Sequence, residues 1–111
     1  MLHEDRIRLQ HMRDAAIEAI AFANGRSRED LNADRMLSLA LVREIEVIGE
    51  AASRVSTFTR EEVPQMPWAD VIGMRNRLVH AYFDIDLDVV WATVVEDLPI
   101  LLGVLDLALG T

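Results

Sequence analysis

The sequence predicts an all-α fold, an antiparallel bundle of four to five helices. Hydrophobic residues make up 51% of the 111 residues but aromatic residues only 5%, which favours helices that pack through aliphatic side chains. Three prolines and five glycines leave few breaks, and no segment shows the polar–apolar alternation of a half-buried strand. This length is enough for one core, so we expect a single domain over residues 1–111.

The first half of the chain predicts two long helices. Apolar residues recur with a helical period from about residue 4 to 24, where an Asn-Gly pair is a stop signal. Residues 27–31 indicate a capped turn or short helix. Asn32 or Asp34 then caps a second long helix that runs to about Val55. Because this helix is apolar around most of its girth, we expect it at the centre of the bundle.

A connector over residues 56–66 separates the second helix from the third. Within it, Thr59 and Glu62 have the spacing of a capping box for one helical turn. Pro67 is suited to the first position of a helix, and the third helix is predicted to run from there to about residues 82–83.

The last part of the chain predicts a fourth helix. Asp86 can cap it, and the apolar pattern continues from about residue 87 to 109. Pro99 lies inside this pattern and should kink the helix near Glu96, because a proline removes a backbone donor and clashes with the preceding turn.

The most informative stretch is residues 74–83, which combine two arginines, an amide, a histidine and the only tyrosine of the chain. On a continuous helix, Asn76 and His80 lie one above the other, and Arg75 and Tyr82 form the neighbouring row. A guanidinium binds phosphate through two donors and an imidazole transfers protons near neutral pH. The stretch therefore predicts chemistry on a phosphodiester.

A charged stripe crosses the otherwise apolar second helix. Arg43, Glu46, Glu50 and Arg54 follow one another at intervals of three and four residues. Two interpretations remain open: a solvated edge with helical ion pairs, or a set of residues that adjoins the arginine–histidine stretch.

Composition restricts the functional classes. The net charge of −8 disfavours broad, nonspecific binding to nucleic acids, so any RNA contact has to come from a local cationic patch. The absence of cysteine excludes disulfides and thiol nucleophiles. The charged N-terminus is unlike a signal peptide, and no apolar run is long enough for a membrane span, so we expect a cytoplasmic protein. His3 and His11 have no carboxylates placed as metal ligands, and we predict no metal site and no cofactor.

Metal-free RNA cleavage requires a base for the 2′-hydroxyl, an acid for the leaving 5′-oxygen and positive charge at the phosphorane. Arg75 can supply the charge, and Arg77 is either a further substrate contact or a surface residue. One subunit then offers a single acid–base group, His80. A two-fold axis beside this stretch would supply a second His80 and complete the site.

The motif stretch has the pattern Arg75, four residues, His80, one residue, Tyr82. This pattern resembles the motif of HepT-like proteins in the HEPN superfamily of prokaryotic RNases. Further blocks in the same order are similar to the family: residues 43–52, Pro67-Trp68, residues 72–76, residues 86–91 and residues 97–99. Together they cover most of the chain from about residue 35 to 99.

The resemblance implies a homodimer of helical bundles whose motifs meet at a cleft, with an endoribonuclease activity that needs no metal. It implies a toxin whose partner is an MntA-like nucleotidyltransferase antitoxin that adds AMP to the motif tyrosine, here Tyr82. Carried to this chain, Arg75 and His80 are catalytic and Asn76 supports them. Candidates for RNA binding or support are Arg77, Arg43 and Glu50.

Two other functional classes fit the same residues. One is a non-enzymatic helical partner of a minimal nucleotidyltransferase, in which the motif serves for docking, and the acidic balance favours it mildly. The other is a structural four-helix dimer with a vestigial site. RNA cleavage by the wild type and its loss in His80→Ala would separate the ribonuclease from both.

Overall fold

In this computed structural model, the described residues are 1–81 and 84–110. They form eight α-helices, one π-helical turn and one two-stranded antiparallel ribbon. In chain order these are α1 (His3–Ala23), α2 (Asp30–Ala33), α3 (Arg35–Ser53), α4 (Thr57–Glu62), α5 (Trp68–Ile72), α6 (Met74–Leu78), β1 (Val79–Ala81), β2 (Asp84–Ile85), α7 (Leu87–Ala92), the π-helical turn (Thr93–Asp97) and α8 (Leu98–Leu109). The all-α prediction is confirmed, apart from the short ribbon.

The core of the bundle forms where α1 packs against α3 and α8. On α1 the buried face contains small side chains such as Ala16 and Ala19, which allow a close approach of the facing helix. On α3 it contains the fully buried Leu41, Ile45 and Ile48. Since α3 also contacts α2, α5, α6 and α7, the predicted central position of the second long helix is confirmed.

Two predicted N-caps are present. The Asp34 carboxylate accepts a hydrogen bond of 3.1 Å from the backbone N–H of Leu37 at the start of α3. At the start of α7, the Asp86 carboxylate accepts from the N–H groups of Asp88 and Val89, at 3.0 and 3.2 Å. Each carboxylate satisfies donors that a first helical turn leaves unpaired, which fixes where the helix begins.

The capping box predicted at Thr59 is wrong, because α4 begins three residues earlier. Ser56 is its N-cap and accepts from the N–H of Thr59 at 3.3 Å. The buried Asp5 carboxylate on α1 accepts 2.5 Å hydrogen bonds from the hydroxyls of both Ser56 and Thr59, and one of 3.0 Å from the Ser56 N–H. The Thr59 hydroxyl therefore fastens α4 to α1 rather than capping a turn of its own.

The predicted third helix is also corrected. It divides at Gly73 into α5 and α6, and it ends at Leu78 rather than at residues 82–83. Val79 is extended and pairs with Ile85 in the ribbon, and the N–H of Asp86 donates to the Leu78 carbonyl at 2.6 Å. The backbone of β1 therefore does not continue the helical row on which His80 was expected to lie above Asn76.

The C-terminal helix is interrupted where proline predicts it. A π-helical turn separates α7 from α8, and Pro99 lies in the first turn of α8. Because proline has no N–H to donate to the preceding turn, the regular α-helical hydrogen bonding is interrupted there. The predicted disturbance near Glu96 is therefore confirmed. Although α8 is strongly apolar, no helix among the described residues combines the length and hydropathy of a membrane span.

Candidate functional site

The first half of the motif lies in an open cleft between α3 and the α5–α6 pair. The cleft has a volume of about 410 Å³, and we call it the Arg75 cleft. It is lined by Arg43, Glu46, Gly49, Glu50, Ser53, Ile72, Arg75 and Asn76.

Gly49 sets the distance between the two walls of this cleft. It is buried in α3, and a Cβ atom at this position would lie 3.3 Å from the backbone carbonyl oxygens of both Val71 and Ile72. Because these are main-chain atoms, no change of rotamer could relieve the contact. The missing side chain thus lets α5 approach α3. Because α6 follows α5 directly, it places Arg75 beside the charged stripe of α3.

The guanidinium of Arg75 is held from one side. Its Nε donates to Glu46 Oε2 on α3 at 2.9 Å. The side chain is nevertheless 57% exposed, and a guanidinium carries five donors in a planar fork. The Glu46 carboxylate thus orients Arg75 while the Nη groups remain available to a phosphate oxygen.

Two of the candidate supporting residues, Arg43 and Glu50, share this cleft with Arg75 and Asn76. Of the two interpretations of the α3 stripe, the structure therefore favours proximity to the motif. Ion pairing also occurs, since the Glu50 carboxylate lies 3.8 Å from an Arg54 nitrogen at an i, i+4 spacing.

The other predicted site residues lie elsewhere or outside the described part of the chain. Arg77 faces a separate groove beside α8, and its Nη2 donates to the Asp70 carbonyl at 3.4 Å. The backbone of His80 lies in β1, directly after α6. The His80 side chain and Tyr82 lie outside the described residues.

A second cleft, between α1 and α3, adjoins the first. Its volume is about 260 Å³, and we call it the α1–α3 cleft. It is lined by Arg8, His11, Arg43, Val47, Glu50, Ala51 and Arg54. No site residue lies near His11 in the sequence, because only the packing of α1 on α3 brings it beside Arg43. Arg8 and His11 on α1 have the i, i+3 spacing of one helical face, the one sequence signal that could have pointed to them.

Glu44 is a buried acid immediately next to Arg43 in sequence. Burial and, after it, the Glu18 carboxyl on α1 raise the pKa of its carboxyl to about 7, and Arg43 opposes the shift. The Glu44 Oε2 atom has no hydrogen-bond partner within the described residues. Near neutral pH this carboxyl is therefore partly protonated, unlike an ordinary glutamate.

Among the side chains that the structure describes, no three from His, Asp or Glu gather closely enough to hold a metal ion. What the two clefts offer chemically is guanidinium and imidazole groups, which bind and protonate phosphate oxygens.

Comparison with known proteins relates the chain to one family. The family model described as ribonuclease HepT-like matches residues 12–107. A Thermococcus cleftensis protein named "Probable ribonuclease HepT" is 40% identical over 75 residues, which is 68% of each chain. A provisionally named RNase of Methanocaldococcus jannaschii is 35% identical over 86 residues, 78% of this chain and 79% of the relative. One of Caldanaerobacter subterraneus is 34% identical over 91 residues, 82% of this chain and 81% of the relative. No solved structure matches the chain.

Proposed function

This chain belongs to the family of HepT-like ribonucleases, and from that premise we propose that it is a metal-independent endoribonuclease toxin of the cytoplasm, neutralised when a nucleotidyltransferase antitoxin adds AMP to Tyr82. The observation that carries the proposal is the placement of Arg75 and Asn76 in an open cleft, with the Arg75 guanidinium oriented by Glu46 and exposed on its other edge.

The reaction that suits these residues is an in-line attack by the ribose 2′-hydroxyl on the adjacent phosphorus. A base takes the 2′-hydroxyl proton, the bond from phosphorus to the 5′-oxygen breaks, and an acid protonates that leaving oxygen. Arg75 binds the nonbridging oxygens, where negative charge accumulates in the transition state. His80 is the acid–base group, and Asn76 donates or accepts a hydrogen bond from the same cleft wall.

A single subunit has one imidazole in the motif, whereas this reaction uses two proton-transfer groups. We therefore infer that two copies of the chain pair about a two-fold axis, so that a second His80 completes the site. A variant held as a monomer should fold and fail to cleave RNA. Full cleavage by such a monomer would contradict the shared site.

The direct test is RNA cleavage by the purified protein in the presence of a metal chelator. Wild type should cleave a single-stranded substrate, and His80→Ala should lower the rate by about 10²–10⁴-fold, the usual contribution of a positioned acid–base group. His3→Ala, which removes the exposed histidine at the start of α1, is the matched control and should keep the wild-type rate. If wild type and His80→Ala behave alike, the motif serves for docking to a nucleotidyltransferase, the other functional class that the sequence favours.

The proposed regulation is a group transfer to Tyr82, the only tyrosine of the chain. The phenol oxygen attacks the α-phosphorus of ATP, the phenol proton is lost and pyrophosphate leaves. The product carries a phosphodiester anion close in sequence to Arg75 and His80, where it can pair with the guanidinium that would bind RNA phosphate.

Incubation with a cognate transferase and ATP should add AMP to the wild type, as measured by intact mass, and abolish cleavage. Tyr82→Phe should stay unmodified and remain active in the presence of the transferase. Equal modification of Tyr82→Phe would refute the assignment.

A further inference from the structure

A cationic surface lies beside the motif of a protein whose net charge is −8. The α1–α3 cleft is lined by three arginines and a histidine, and Glu50 is the one acid among its lining residues. Arg8 and His11 come from α1, Arg43 comes from α3, and Arg54 is the C-cap of α3. This concentration of positive charge runs against the composition of the whole chain, so the composition does not account for it.

The donors of this cleft are largely unused within the protein. Within residues 1–81 and 84–110, neither Arg8 nor His11 takes part in a hydrogen bond or an ion pair. Arg54 meets Glu50 at 3.8 Å, and both side chains are more than half exposed, so this contact is weak in water. Arginines that stabilise a fold usually bond to carbonyls or carboxylates, as Arg6 does with the Leu109 carbonyl.

The α1–α3 cleft is continuous with the Arg75 cleft, because Arg43 and Glu50 line both. Along α3 the distance from Arg43 to Arg54 corresponds to about 16 Å at 1.5 Å per residue. A strand that enters at Arg75 and Asn76 can therefore pass Arg43, which lines both clefts, and continue toward Arg8.

We propose that the α1–α3 cleft is a phosphate-binding subsite that holds the RNA backbone next to the cleavage position, with Arg8, His11, Arg43 and Arg54 as its contacts. This inference rests on the proposed ribonuclease function and adds residues outside the Arg-His motif to it. The lining contains no Phe, Tyr or Trp, and its guanidinium groups suit phosphate oxygens, so we expect the contacts to read backbone rather than sequence. The two apolar members, Val47 and Ala51, are not enough for the apolar centre that an interface between protein copies requires.

The experiment measures how binding depends on salt, in the non-cleaving His80→Ala background. A fluorescent single-stranded oligouridylate is titrated at salt concentrations from about 50 to 200 mM. Each phosphate contact to a single strand contributes roughly 0.7 to the slope of log Kd against log salt. Arg8→Gln should therefore lower the slope by about 0.7 and the Arg8→Gln/Arg54→Gln double variant by about 1.4.

Over this fourfold range of salt, the affinity of the parent should fall roughly sevenfold more than that of the double variant. Arg35→Gln is the matched control, because it removes an exposed arginine of α3 that lines neither cleft, and its slope should equal that of the parent. Arg8→Lys/Arg54→Lys keeps both charges and should also retain the parent slope, which excludes misfolding as the cause.

Equal slopes in all variants, or no binding by the parent, would overturn the subsite. So would a double variant that changes the molar mass in sedimentation while its slope stays that of the parent, because the face would then join two copies of the chain. Cleavage by the His80-containing protein is measured in parallel. If that protein binds RNA without cutting it, the proposed function fails, whereas the subsite is still decided by the slopes.

Discussion

Replacing Asp5 with asparagine should destabilise the protein and alter how its stability depends on pH. Asp5 is 4% exposed, and its carboxylate accepts three hydrogen bonds from Ser56 and Thr59 at 2.5–3.0 Å. Hydrogen bonds to a charged group contribute about 1.5–3 kcal/mol each, against about 0.5–1.5 kcal/mol for neutral pairs. The amide keeps the shape, loses the charge and retains only part of the bonding, so we expect a loss of about 2–3 kcal/mol at pH 7, since shared bonds are not additive.

The pH dependence provides an independent check. Burial raises the pKa of the Asp5 carboxyl, but the hydrogen bonds from Ser56 and Thr59 together outweigh it, and the pKa lies below its ordinary value. A lowered pKa means that the charged group contributes stability above the pKa of the unfolded chain, about 3.9. That contribution is lost as the pH falls through the lower pKa of the folded state. The difference between wild type and Asp5→Asn should therefore be constant from about pH 7 to 5 and shrink below about pH 4.

Urea unfolding followed by circular dichroism measures both quantities. Asp14→Asn removes an exposed carboxylate from the same helix and is the control, with an expected change within about 0.5 kcal/mol. A deficit of Asp5→Asn that stays the same size from pH 7 to pH 3 would refute the argument, because it would show that the charge is not what Ser56 and Thr59 recognise.

Three further variants test the site. Glu46→Gln should raise KM for RNA cleavage more than it lowers kcat, because Arg75 loses its orienting carboxylate but keeps its charge; an unchanged KM would contradict this. Gly49→Ala should lower the free energy of unfolding in urea by about 1–2 kcal/mol, because overpacking against the main-chain carbonyls outweighs the helix propensity that alanine adds. The rate of cleavage should fall as α6 shifts. A gain in stability would show that α3 and α5 separate freely. Wild type should lose stability as the pH rises from about 4.5 to 7 and above, because the raised pKa of the Glu44 carboxyl stabilises the folded state only while that carboxyl is protonated. Glu44→Gln should lack this loss. Urea unfolding at pH 5 and pH 8 measures the difference, and an equal stability change in both proteins would contradict it.

The helix boundaries that could be predicted are those with a local chemical cause. Asp34 and Asp86 bond to N–H groups two or three residues away, so the sequence around each contains the whole interaction. Ser56 and Thr59 are both of residue types that are favoured as N-caps. The choice between them depends on Asp5, more than fifty residues away in the chain, and no local pattern contains that information.

The end of the motif helix could not be predicted for a similar reason. Its apolar spacing continues past Leu78, but Val79 forms a ladder pair with Ile85, and the Leu78 carbonyl accepts from the N–H of Asp86. These partners come from later in the chain, and they outweigh helical periodicity. Within the site, the grouping of Arg75 and Asn76 follows from their adjacency. That Arg43 and Glu50 lie beside the motif was one of two open interpretations of the sequence. The position of His11 could not be predicted, because it depends on the packing of α1 on α3.

The net charge of −8 and the ribonuclease assignment are compatible because the charge is unevenly distributed. Nonspecific affinity for RNA grows with the number of phosphates contacted, at roughly 0.7 per contact in the salt dependence, and the chain has 19 acidic residues against 11 basic ones. In the Arg75 cleft the Nε of the guanidinium already donates to Glu46, so an RNA phosphate can engage only the Nη edge. A strand that crosses both clefts would gain several contacts at once, whereas one that touches any other face would gain few. Under the proposed function, the acidic remainder of the surface restricts stable binding to strands that lie across Arg75.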